Sequence, residues 1–108
     1  MADAVLGEFE QLVLIALTRL GHEAYGVTIS DEIASRSGRI VSLGAVYKTL
    51  DRLETKGFIA SRIGEPTAER GGRRKKHFRV LAVGQRALKQ SMASLKRMTA
   101  GIESEVGL

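Results

Sequence analysis

The stretch from Ser42 to Gly57, SLGAVYKTLDRLETKG, admits few structures. Ser42 suits a helix N-cap, its hydroxyl accepting from a backbone N–H one turn on. Gly57 suits the left-handed position just past a helix C-terminus. At about 100° per residue, Leu43, Val46, Leu50 and Leu53 share one face. The opposite face carries Gly44, Ala45, Lys48, Arg52 and Thr55, with Tyr47 at its edge. That face is small near its start and basic further along. A helix entering a DNA major groove needs small residues for close approach, then long cations for phosphates and base edges. Alone, the stretch fits an ordinary amphipathic surface helix as well. The rest of the chain decides between the two.

Before it, Gly7 to Leu20 predict a helix with Phe9, Leu12, Val13, Ala16, Leu17 and Leu20 in one apolar stripe. Leu14 and Ile15 fall outside that stripe and are expected to face a second copy of the chain. The plainer alternative is two exposed aliphatics. Gly21 to Ala24 form a connector, and a short helix runs from Tyr25 or Gly26 to Arg36, with Ile29 and Ile33 inward. Arg39-Ile40-Val41 reads as an extended link that could bridge to a small sheet. Two helices and a turn, the second helix basic outside, make a helix-turn-helix. Tyr25 and Thr28 open the earlier helix, where N-terminal N–H groups could hold a DNA phosphate. A plain helix start is the equal alternative.

After it, Phe58 to Ile63 alternates as a half-buried strand does. Residues 64–72 hold the only Pro and a Gly pair, a loop signal. Arg73 to Val80 is the second strand of a wing. Between Arg70 and Arg79 stand six cations and no acid. Beside a basic helix, Arg70, Arg73, Arg74, Lys75 and Lys76 are candidates for phosphate contact. From about Ala82 to the C-terminus the pattern predicts one last helix. Leu88, Met92, Leu95, Thr99, Ile102 and Val106 alternate spacings of four and three, a heptad seam. A helix of about 25 residues would span roughly 37 Å and overhang so small a domain, so a homodimer is expected through it.

A net charge of +5 and a pI of 10.0 favour an anionic partner. The absence of Cys excludes disulfides and cysteine-ligated zinc. The longest apolar run, Leu12 to Leu17, is far too short to span a membrane. The N-terminus lacks a signal-peptide layout, so a cytoplasmic location is expected. His22 and His77 have no second ligand at metal spacing, and Asp31-Glu32 reads as a solvated face. No nucleophile sits with a base and an orienting acid. Neither a metal, a cofactor nor an enzymatic activity is expected.

The segments LGEFEQLVLIALTRLG, YGVTI, VSLGAVYKTLDRLETKGFI and GEPTAERGGRRKKHFRV, followed by a GxxAL helix, resemble the PadR family of transcriptional regulators in its short branch with a single terminal helix. The resemblance covers nearly the whole chain. It implies a dimeric winged helix, usually a repressor, often relieved by a small molecule. Ser42, Gly44, Tyr47 and Lys48 fall on the recognition-helix motif, and Arg70, Gly71, Gly72, Arg73 and Arg74 on the wing. Two positions depart from it: Leu81 stands where Thr or Ser would cap the last helix, and His77 where Tyr is usual. A small hydrophobic effector between subunits would meet aliphatic and Met walls such as Leu14, Met92 and Leu95, since only 5% of residues are aromatic. Control by protein abundance is the alternative.

The expected fold is therefore mainly α with a small β-hairpin wing, a winged helix-turn-helix in residues 1–81 and a dimerisation helix in 82–108. The expected function is a sequence-specific regulator, a repressor that binds double-stranded DNA at a two-fold symmetric operator. The competing function is a winged-helix protein–protein interaction module with a basic surface.

Overall fold

A computed structural model describes residues 5–64 and 74–108. Helix α1 spans Glu8–Leu20 with Gly7 as its N-cap. The Gly7 N–H donates to Glu10 Oε1 at 2.9 Å, the return half of a capping box. A 3-10 turn at Gly21–Glu23 leads to α2, Gly26–Ser37. There the Thr28 hydroxyl accepts from the Tyr25 N–H at 3.0 Å and donates to the Glu23 carbonyl. Helix α3, Leu43–Thr55, starts on the Ser42 hydroxyl, which accepts from the Ala45 N–H at 3.0 Å. It ends in a Schellman motif. The Gly57 N–H donates to the Glu54 carbonyl and the Phe58 N–H to the Leu53 carbonyl, each at 3.0 Å, with Gly57 at φ 80°.

That turn aims the chain into β1, Ile59–Ile63, which pairs antiparallel with β2, Lys76–Val80, Ile59 opposite Val80. The bridge expected from Arg39-Ile40-Val41 forms elsewhere. Among the described residues the isolated bridge joins Tyr25 to His77, and the Phe78 N–H donates to the Ala24 carbonyl at 2.9 Å. Extended backbone at Ala24 and Tyr25 lies along β2, so the segment before α2 adds to the hairpin.

The core gathers Val13, Leu14, Ala16 and Leu17 of α1, Ile29 and Ile33 of α2, and Val46, Leu50 and Leu53 of α3 under Ile59 and Phe78. Leu14 is fully buried there and Ile15 is half-buried against it. The expectation that Leu14 is spare for a partner chain is corrected. Helix α1 touches α2, α3, β2 and α4, so Val13, Leu14, Ala16 and Leu17 are covered by their own chain and Ile15 only in part.

Helix α4 spans Ala82–Thr99, and its N-cap, Leu81, makes no side-chain capping bond. Backbone holds the start instead, the Leu81 N–H donating to the Phe58 carbonyl at 2.9 Å. A Cβ on Gly84 would overlap that same carbonyl, so the close approach of α4 to the end of α3 requires glycine. Ala87 and Leu88 join the core, while Met92, Leu95 and Met98 are exposed. The helix stops at Thr99, and Gly101 takes φ 89°. Ile102 and Val106 lie beyond it, Val106 in a turn. The expected seam is thus shortened at both ends: Leu88 is closed into its own protomer, and Ile102 and Val106 are not on the helix.

Candidate nucleic-acid interface

The first turn of α3 stands clear of the body. Ser42, Leu43, Gly44 and Ala45 are all exposed, and burial along α3 begins only at Val46. Leu43, placed by its spacing on the core face, is 40% exposed. The buried stripe runs through Val46, Thr49, Leu50 and Leu53. Tyr47 and Lys48 are exposed on the next turn. A Cβ on Gly26 would overlap the Tyr47 hydroxyl, so the ring lies against the start of α2 with its polar tip at that helix terminus. Lys48 takes part in none of the ion pairs formed among the described residues.

Arg52 behaves differently from Lys48. Its Nε donates to Glu10 Oε2 at 3.2 Å, and Lys56 Nζ donates to the same oxygen at 2.9 Å. Glu10 is only 5% exposed. Burial pushes its carboxyl up, but bonds from Lys56, the Gly7 N–H and Arg52 outweigh that and hold it below the ordinary carboxylate range. Arg52, expected on the DNA face, is instead half of a clamp that fastens the end of α3 to the start of α1. Glu10 and Lys56 were not anticipated. The Gly7-x-x-Glu10 spacing signals the cap, but nothing local signals the cations.

Of the wing candidates, Arg70, Gly71, Gly72 and Arg73 lie outside the described residues. Arg74 and Lys76 are exposed, Lys76 Nζ lying 3.9 Å from Glu54 Oε1. Lys75 turns inward. Its Nζ donates to the Tyr25 hydroxyl at 3.2 Å and sits 4.4 Å from the centre of that ring, a cation–π contact. The Tyr25 ring meets His77 edge-on at 5.4 Å, and His77 Nδ1 lies 3.1 Å from the Lys75 carbonyl. With the Thr28 hydroxyl spent on capping, the start of α2 is a joint between α2 and the hairpin, and its side chains are largely engaged.

The pattern of the transcriptional regulator PadR-like family matches residues 13–90. The chain belongs to that family. A transcriptional regulator from Clostridium thermocellum superposes with a TM-score of 0.71 at 25% identity, covering 88% of this chain and 89% of that one. A PadR family transcription regulator from Clostridium difficile gives 0.68 at 25% identity, over 86% and 95%. Bacillus subtilis PadR, solved in complex with operator DNA, gives 0.66 at 22% identity, over 79% of this chain and 46% of that one. No curated protein matches the chain. Among the described residues, four α-helices with a two-stranded antiparallel hairpin are the PadR-like winged helix. Among the described residues, no helix is long and apolar enough to cross a membrane.

Proposed function

We propose that this PadR-like protein is a homodimeric repressor that binds double-stranded DNA at a two-fold symmetric operator in the cytoplasm. The observation that carries the reading is the exposed first turn of α3, small and uncharged, followed by exposed Lys48. A helix turn exposed at Leu43, Gly44 and Ala45 fits insertion into a groove. The operator complex of the related B. subtilis protein supports the same use of the fold. In this reading residues 1–81 hold the DNA and 82–108 the partner subunit. Met92, Leu95 and Met98, exposed on one overhanging helix, supply the dimer contact, with Ile15 and Thr99 at its margin. A small effector in such a dimer would meet the open groove of about 600 Å³ where Val5, Leu6 and Leu95 stand beside Gln11, Lys89 and Arg97. Leu14 does not reach it.

The test is duplex binding as a function of salt. A regulator loses affinity linearly on a log–log plot and prefers its operator over random duplex, whereas a protein adaptor with a basic surface binds all duplexes alike and weakly. Lys48→Ala is expected to cost about 1–3 kcal/mol on the operator if the ammonium reads a base edge. Arg73→Ala and Arg74→Ala are expected to weaken all sequences alike and flatten the salt slope by about one unit each. Equal loss on operator and random DNA for Lys48→Ala rejects base reading by that residue.

A further inference from the structure

We propose that Leu43 reads the 5-methyl group of a thymine in each operator half-site; this rests on the DNA-binding reading above. Leu43 occupies the first position of α3, directly after the Ser42 cap. Side chains on a helix lean toward its N-terminus, which aims Leu43 toward the exposed Ser42 end of α3. Leu43 belongs neither to the buried core nor to the apolar side chains packed against it, and it is exposed. The rest of the turn has little polar reading capacity. The Ser42 hydroxyl already accepts from Ala45, and Gly44 and Ala45 have no polar side chains. What this turn offers a groove is chiefly an isobutyl group beside a glycine with open space around it. In the major groove the apolar feature of a base edge is the thymine methyl, which cytosine lacks. Lys48 one turn on and the net charge of +5 select a nucleic acid over an apolar protein partner as the occupant.

The experiment uses the full chain. Wild type selects duplexes from a randomised pool, and the best duplex is remade with each thymine replaced singly by deoxyuridine, which removes only the methyl. At one thymine per half-site, wild type is expected to bind the deoxyuridine duplex about fourfold more weakly, the worth of one buried methyl. Leu43→Ala and Leu43→Gln are expected to bind both duplexes equally. Val83→Ala, an exposed apolar change at the start of α4, is expected to follow wild type. Salt-dependent binding in which no thymine distinguishes wild type from both Leu43 variants overturns the methyl reading and leaves DNA binding standing. Selection of no duplex by wild type overturns both.

Discussion

Glu10 brings a negative charge to a position that is 5% exposed, and three donors from two distant parts of the chain converge on it. Because its folded pKa lies below the unfolded value of about 4.3, its stabilisation is complete above that value and is lost as pH falls through the lower folded value. Thermal stability of the wild type should therefore decline below about pH 4.3. Glu10→Gln should decline less steeply over the same window, and at neutral pH should be destabilised by about 1.5–3 kcal/mol, the range for hydrogen bonds to charged groups. Identical pH profiles for the two proteins would show that the clamp contributes nothing. Leu14→Ala should cost about 2–5 kcal/mol by chemical denaturation, as for a buried leucine. A surface leucine reserved for a partner would cost far less in the isolated protomer.

At the scale of elements, two glycines with opposite surroundings set how helices may be altered. Gly84 touches the Phe58 carbonyl, so Gly84→Ala must push α4 off the end of α3. Overpacking of about 1–3 kcal/mol should outweigh the gain of about 1 kcal/mol in helix propensity, and the melting temperature should fall. Gly44, in the first turn of α3, has open space where a Cβ would go. Gly44→Ala should therefore raise the melting temperature slightly while weakening operator binding, since the added methyl stands where the groove floor would approach. A parallel change in stability and binding would argue that Gly44 serves the helix and not the interface.

For the whole molecule, the distribution of apolar surface along α4 decides how it assembles. Its first two turns are anchored by Gly84, Ala87 and Leu88, and the later turns leave Met92, Leu95 and Met98 in water. A triple replacement of these three by Ser should convert a dimer to a species of 11.7 kDa by light scattering without removing the core, because none of them belongs to it. A wild-type protein that is already a monomer at micromolar concentration would end the dimer reading, and with it the match of two recognition helices to grooves about 34 Å apart.

Sequence alone determined what depends on contacts within a turn or two. Both ends of α3, the stop of α2 at Gly38, the hairpin and its basic composition were all written in local signals: a capping serine, left-handed glycines and alternation of period two. The stop of α4 was not read: the heptad spacing carried the expected helix to the C-terminus, whereas it ends at Thr99 ahead of Gly101 at φ 89°, because under three heptads carry too little seam to extend a helix past glycine. Tertiary structure alone decided which partner a side chain meets. Arg52 finds Glu10 across 42 positions and Lys75 finds Tyr25 across 50, and no periodicity encodes such a distance. It also decided that Leu14 is core and Leu43 is surface. Spacing gives the direction in which a side chain leaves its helix, but burial depends on what stands on that side: Leu14 is fully enclosed, whereas Leu43 is 40% exposed.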